Sequence, residues 1–187
     1  MPQLTQKVSP ESTLKEKDPK WYVAYTFPKS EKAVQNKLEK IGIHSYLPLR
    51  QVVREWSDRK KKLLIPLFPN YIFVYASENE RHESFIVKEI LRYVSFDGKA
   101  SIISNTVIDS LKHILSRTHD VHVEDLTNEG MPVKIIHGPF NGVEGVILRT
   151  KGRERLIVQI RALQRSVALN ISTADVESMF LLENHHA

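Results

Sequence analysis

Histidines, cysteines and clustered carboxylates are the residue types that most often perform catalysis or bind metals. His119 and His122 form the only ligand-like pair in this chain, and the sequence places no third or fourth ligand beside them. There is no cysteine, which excludes disulfides, thiol catalysis and cysteine-type zinc sites. A nucleophile elbow, a phosphate-binding loop and an HExxH pattern are also absent from the sequence. We therefore expect no metal, no cofactor and no catalytic residue.

Aromatic side chains give a stronger signal, in the segment from Pro66 to Val74. Because proline cannot donate a backbone hydrogen bond, the two prolines fix where a strand begins, and alternate residues then face opposite sides. One side carries rings and the other is aliphatic: Tyr71, Phe73 and Tyr75 against Ile72 and Val74. If the aliphatic side faces the core, the rings form an outward patch, which usually marks a partner surface. The alternative is that the rings fill the core.

Basic side chains concentrate in two places. One is a face of the helix predicted from about Lys29 to Lys40, and the other is a predicted hairpin with strands at 46–54 and 63–68. Lysine and arginine outnumber aspartate and glutamate by 27 to 22, a net charge of +5 that favours a polyanionic partner. The alternative for both places is an ordinary solvated surface.

The elements that would position these residues interleave strands with helices. They are a strand over 21–27, the lysine-rich helix, the hairpin, the aromatic strand, a helix over 80–90, a strand over 93–96 and a helix capped by Ser104. In the 80–90 helix, Phe85, Ile86 and Ile90 are expected to be buried. This order predicts an α+β fold, an α/β sandwich with an antiparallel sheet over residues 21–118, after a flexible leader at 1–20.

The second part of the chain has a different pattern. A polar, acidic tract at 119–129 predicts a linker. Glycine or turn signals then separate valine- and isoleucine-rich runs over 130–180, as a small antiparallel β-barrel requires. Because β-branched residues make a helix costly there, we expect this module to stay a barrel.

Length and hydropathy limit the remaining possibilities. Two small modules fit into 187 residues, and neither is large enough for an elaborate enzyme cleft. Since the sequence has neither a signal-type apolar core nor an apolar run of spanning length, we expect no membrane association. The lack of cysteine fits a reducing compartment. We expect a cytoplasmic monomer.

Three segments occur in the order typical of one protein family: Trp21–Thr26 (WYVAYT), 66–74 (PLFPNYIFV) and Val133–Val146. Together they resemble the bacterial NusG family of transcription elongation factors, and the third resembles its KOW motif. The PLFPNY segment is more similar to specialised RfaH-like proteins and to antiterminators of polysaccharide operons than to general NusG. The resemblance covers 21–179 and implies a NusG-type N-terminal domain followed by an SH3-like KOW barrel.

The resemblance implies a concave patch that receives helices of the largest RNA polymerase subunit, with four anchors: Tyr25, Phe68, Tyr71 and Phe73. It also implies contact with the non-template DNA strand through Lys29, Lys32, Lys40 and Arg92. Five hairpin residues would reach phosphates as point charges without reading sequence: Arg54, Arg59, Lys60, Lys61 and Lys62.

Two further contacts follow from the resemblance alone. His82 matches the first residue of the His-Thr-Thr-Thr stretch that RfaH directs at the polymerase gate loop, but the next residues differ, and an exposed helix histidine is the alternative. On the KOW barrel, Phe140 and Ile160 would dock ribosomal protein S10 or termination factor Rho.

These observations predict a transcription elongation or antitermination factor that binds RNA polymerase and suppresses pausing or termination. General action and action at particular operons both fit the sequence. One competing interpretation is a KOW-containing, RNA-binding, ribosome-associated protein. Another is a small enzyme acting on nucleic acid, which would need acidic metal ligands on the hairpin rim.

Overall fold

The computed structural model describes residues 18–55, 60–118, 120–127, 130–135, 140–150, 153–171 and 176–178. The N-terminal part is built on a five-stranded sheet, in which β2, β5, β1 and β6 are neighbours in that order and β9 also pairs with β1. These strands are β1 (Lys20–Thr26), β2 (His44–Tyr46), β5 (Tyr71–Ala76), β6 (Ile90–Tyr93) and β9 (Ile102–Ile103). All of their pairings are antiparallel.

Four further strands and three helices complete this part. The strands β3 (Leu49–Glu55) and β4 (Lys60–Pro66) form the hairpin, and β7 (Ser95–Phe96) pairs with β8 (Lys99–Ala100). The helices are α1 (Glu31–Lys40), α2 (Glu78–Glu83) and α3 (Asn105–Arg117). Ser104 caps α3 by accepting the Val107 N–H at 3.4 Å, and Gly42 adopts a positive φ of 80° just after α1. Both boundaries confirm the sequence prediction.

The C-terminal part is a six-stranded antiparallel sheet, which we call the C-terminal sheet. Its strands are β10 (His122–Asp125), β11 (Met131–Ile135), β12 (Glu144–Thr150), β13 (Arg153–Ile160), β14 (Arg165–Ile171) and β15 (Val176–Ser178). Their order in space is β10, β14, β13, β12, β11, β15. The predicted β-rich C-terminal module is therefore confirmed for the residues described.

One strand of this sheet corrects the sequence prediction, because part of the expected linker pairs with β14 as β10. The acidic side chains that indicated a linker are matched by arginines distant in sequence. Glu124 accepts two hydrogen bonds from Arg155, at 2.6 and 3.2 Å, and Asp125 pairs with Arg165. A polar tract can join a sheet when its charges find such partners.

The helix predicted over 80–90 is also wrong in its bounds. It begins at Glu78, where Ser77 and Glu80 form a reciprocal capping box, and a short 3₁₀ turn follows its end at Glu83. Phe85 and Ile86 are consequently exposed, whereas Ile90 is buried as expected.

The sheet strands β1 and β5 divide their side chains between two hydrophobic clusters. Tyr22, Ala24, Ile72, Val74 and Ala76 form what we call the α1 face, which packs against Val34 and Leu38 of α1. The opposite side, which we call the aromatic face, consists of Trp21, Val23, Tyr25, His44, Tyr46, Tyr71, Phe73 and Tyr75. None of the helices in the described part of the chain is long and apolar enough to cross a lipid bilayer.

Candidate functional site

Cross-strand register assembles the aromatic face. Trp21 lies opposite Tyr75, and Tyr25 lies opposite Tyr71, in the antiparallel pair of β1 and β5. Their ring centroids are 5.1 and 5.2 Å apart, within the range of favourable aromatic contacts. On the next strand, Tyr46 stacks on Phe73 at 6.3 Å. The alternation predicted from the sequence is therefore confirmed, since Ile72 and Val74 do face the core against α1.

The expectation that these rings form an open outward patch is wrong for two of the four anchors in this conformation. Phe73 is only 1% exposed and Phe68 only 3%. The cover includes α3, whose buried Ile108 and Leu111 belong to the same hydrophobic cluster. That cluster continues from α3 into the C-terminal sheet.

A lysine of α3 also contacts the aromatic face directly. The ammonium of Lys112 lies 5.2 Å from the centroid of the Trp21 ring and 5.5 Å from that of Tyr46. Both distances suit cation–π attraction. Burial at this place raises the pKa of the Tyr46 hydroxyl from the ordinary 10.0 to about 12. The sequence predicted the apolar stripe of α3 but contained no signal for its position on the rings.

The other end of the aromatic face remains accessible. Tyr25 and Tyr71 are half-buried, and the Arg92 guanidinium lies 5.3 Å from the Tyr25 ring. The turn before Tyr71 is held by Glu31, whose carboxylate accepts the Asn70 N–H at 2.7 Å. Asn70 has a φ of 68°, a conformation that asparagine tolerates better than most residues. At this end of the aromatic face, the half-exposed rings of Tyr25 and Tyr71 are therefore held in place beside Arg92.

The predicted nucleic-acid lysines of the first helix are not equivalent. Lys29 precedes α1 in a turn with a φ of 63°, and both Lys29 and Lys40 are exposed. Lys32 is exposed as well, but its ammonium donates a hydrogen bond of 2.8 Å to the Leu64 carbonyl of the hairpin. Lys32 thus connects α1 to the hairpin.

The hairpin presents its cations to solvent. Arg54, Lys61 and Lys62 are exposed, as is Lys60, which pairs with Glu55 at 2.6 Å. Arg59 lies outside the described residues. The hairpin strands pair only with each other in the part of the chain that the structure describes.

The structure places one of the two residues predicted to dock a partner on the C-terminal module, Ile160, near α3. Ile160 is 1% exposed, so its prediction as an accessible contact is wrong in this conformation, and Phe140 is half-buried. Ile160 lines a cavity of about 410 Å³ together with Ile103 and Val107. Ser110 of α3 accepts the Glu144 N–H at 3.4 Å beside it. The C-terminal sheet and α3 therefore bury each other's apolar residues.

His82 lies exposed near the end of α2, with its Nε2 3.3 Å from a guanidinium nitrogen of Arg81. Arg81 is largely buried, 5.4 and 5.5 Å from the rings of Tyr22 and Tyr93. Burial raises the pKa of the Tyr93 hydroxyl, although its contact with Ser84 opposes this shift. These contacts fix α2 and display His82 at the surface.

Metal binding gains no support from the residues described. They contain no group of three or more histidine, cysteine, aspartate or glutamate side chains that could hold an ion. His119 lies outside the described residues, and His122 is 3.4 Å from Asp120.

Three solved structures are among those to which this chain is similar. A structure of domain interaction in Thermotoga maritima NusG is 24% identical, with 87% of this chain and 98% of that chain covered and a TM-score of 0.47. Conformation A of the MjSpt4:Spt5 complex is 16% identical, with 84% and 96% covered and a TM-score of 0.29. Conformation B is 17% identical, with 85% and 96% covered and a TM-score of 0.30.

A protein-family model agrees with the resemblance carried by the first strand and the aromatic segment. The model is described as transcription termination factor nusG, and it matches residues 19–112. This match covers half of the chain and contains β1, the hairpin, the aromatic strand and most of α3. The chain belongs to the NusG family of transcription factors.

Proposed function

We propose that this protein is a transcription elongation factor that binds RNA polymerase through the aromatic face and suppresses pausing or termination. The observation that supports it best is the accessible end of that face, where Tyr25 and Tyr71 stand beside Arg92. Tyrosine and arginine are enriched among residues that dominate binding energy, because they supply large contact area at low entropic cost. The partner is a helical segment of the largest polymerase subunit.

Phe68 and Phe73 join the contact when their cover moves. They share a cluster with residues of α3 and of the C-terminal sheet, so displacement of these elements would expose more of the aromatic face. A partner that binds only the uncovered form shifts the population toward it by its differential affinity. In the same way, binding energy would draw the polymerase away from paused conformers, and the protein itself performs no catalysis.

Nucleic acid and a second protein complete the proposal. The exposed side chains of Lys29, Lys40 and Arg92 contact the non-template DNA strand, while Lys32 supports the hairpin. The C-terminal sheet is a KOW-type barrel, and it recruits ribosomal protein S10 or Rho through Phe140 and Ile160 once α3 has left. Action at particular operons, as in RfaH-like proteins, fits this arrangement.

Capture of RNA polymerase by the tagged protein tests the main claim. The double variant Tyr25→Ala/Tyr71→Ala is expected to lose most capture and most pause suppression in transcription assays, while its circular dichroism stays unchanged. Phe96→Ala is the matched control, because Phe96 is a highly exposed ring on β7. Undiminished capture by the double variant would refute the proposal, and so would capture of ribosomes in place of polymerase.

A further inference from the structure

We infer that the hairpin binds duplex DNA by placing one of its faces in the major groove. This inference goes beyond the single-strand contact proposed above, because it assigns a different element to double-stranded DNA and names the side chains that meet the bases. Residues 49–66 contain six basic and two acidic side chains, a net charge of +4 out of the chain's +5. The protein's excess positive charge is thus concentrated on one element.

Register sorts the hairpin side chains onto two faces. Gln51 pairs with Leu64 and Val53 pairs with Lys62, and residues two apart along a strand point to the same side. We call this set the outer hairpin face. Val53 is 56% exposed and Leu64 is 52% exposed, and Lys62 is exposed beside them. Two apolar side chains, an amide and an ammonium therefore share this face, and Glu55 and Lys60 continue it as an ion pair of 2.6 Å.

The dimensions of the hairpin suit a groove. A seven-residue strand is roughly 23 Å long, and two paired strands lie about 4.8 Å apart. The major groove of B-form DNA is about 12 Å wide and admits a two-stranded ribbon. The hairpin is free to enter it, because β3 and β4 pair only with each other in the described chain.

The outer hairpin face matches the chemistry of base edges. Glutamine can bond adenine at two atoms, lysine can donate to guanine, and small apolar side chains contact the methyl group of thymine. Gln51, Lys62 and the pair of Val53 and Leu64 supply these three types. Arg54, Lys60 and Lys61 are exposed nearby and can neutralise the phosphates that flank the groove.

The described residues of the hairpin favour duplex DNA over single strands and over duplex RNA. Sites for single strands stack bases on aromatic rings, and none of the hairpin residues described, 49–55 and 60–66, has a ring. Trp56 lies outside that set. The major groove of A-form RNA is too deep and narrow for side chains to read. The base of the hairpin is held by Lys32 and by the Leu67 N–H, which donates to the Pro48 carbonyl at 2.8 Å.

Fluorescence anisotropy of the full-length protein tests the inference. The probes are a duplex of about 24 base pairs, its single strand and the same duplex in RNA, from about 50 to 200 mM salt. We expect the DNA duplex to bind most tightly. Arg54→Gln/Lys61→Gln should lower the steepness of the salt dependence by about 1.8, since each lost phosphate contact removes about 0.9. Lys20→Gln/Lys99→Gln, with the same charge change at exposed sites, should leave it unaltered.

A second measurement separates base reading from charge. Selection from a randomised duplex pool should give a preferred sequence, and Gln51→Ala should flatten that preference while keeping the salt dependence. Equal salt dependence in the two double variants, tighter binding of the single strand or the RNA, or a pool without preference would overturn the inference. Polymerase capture by Arg54→Gln/Lys61→Gln should be unchanged, because capture depends on the aromatic face, and this separates a failure of the inference from a failure of the proposed function.

Discussion

The two faces of the N-terminal sheet are formed by the same two strands but differ in the element that covers them. The α1 face is mainly aliphatic and is closed by α1, a helix adjacent in sequence. The aromatic face is covered in part by α3, which begins about 80 residues after β1, and its cluster continues into the C-terminal sheet. A face with a local cover behaves as permanent core, whereas a face with a distant cover can be uncovered without unfolding the strands.

The largest expected effect tests the α1 face. Ile72→Ala should lower the free energy of unfolding by about 2–5 kcal/mol, because Ile72 is fully buried and its loss leaves a cavity. Chemical denaturation measures the change, and polymerase capture per folded molecule should stay as in the unmodified protein. Ile102→Ala is the control, since Ile102 is largely exposed and should cost less than about 0.5 kcal/mol. A cost below about 1 kcal/mol for Ile72→Ala would contradict the assignment of this face as core.

A smaller effect should appear at alkaline pH on the aromatic face. Tyr46 in the unfolded chain ionises near 10.0, while burial in the folded protein holds its pKa at about 12. Ionisation of the unfolded state alone therefore reduces stability as pH rises from about 10 to 12. Tyr46→Phe should lose less stability than the unmodified protein between about pH 8 and pH 11, by denaturant titration at each pH. Parallel losses in the two proteins would show that Tyr46 ionises as freely as an exposed tyrosine.

The smallest expected effect concerns the contact between α3 and the rings. Lys112→Gln removes a cation that lies over Trp21 and Tyr46, and should destabilise the folded protein by about 0.5–1 kcal/mol. Amide hydrogen exchange should increase in α3 and leave α1 unchanged. Lys99→Gln, at an exposed site on β8, is the charge-matched control. Equal exchange in α3 for both variants would argue against a role for Lys112 in holding the cover.

Local patterns predicted the elements and the division of the sheet into two faces. Alternation sorts Ile72 and Val74 onto one side of their strand, and Ser104 marks the start of α3 through its capping chemistry. Both predictions depend on residues within a few positions of each other, where period and propensity act directly. The second helix was misplaced because Phe85 and Ile86 were read as its buried side, although the capping box at Ser77 starts it earlier.

The prediction went wrong where partners are distant in sequence. The sequence predicts that Glu124 and Asp125 belong to a linker. The register of β10, β13 and β14 instead places Arg155 and Arg165 beside them. The sequence predicts that Phe73 and Ile160 are accessible. Their neighbours in sequence give no sign that α3 packs near both residues. Hydrophobic periodicity and composition describe one element at a time, so they cannot predict which element covers another or which ion pairs join distant strands.

The short connection after α3 has a consequence for any protein that would bind the C-terminal sheet. Arg117 ends α3 and His122 begins β10, so only residues 118–121 join them, a reach of roughly 15–18 Å. Tethered this closely, α3 acts as a competitor at an effective concentration on the order of millimolar. A ligand that binds this surface must displace α3. The isolated C-terminal sheet should therefore bind the same ligand more tightly than the intact chain does.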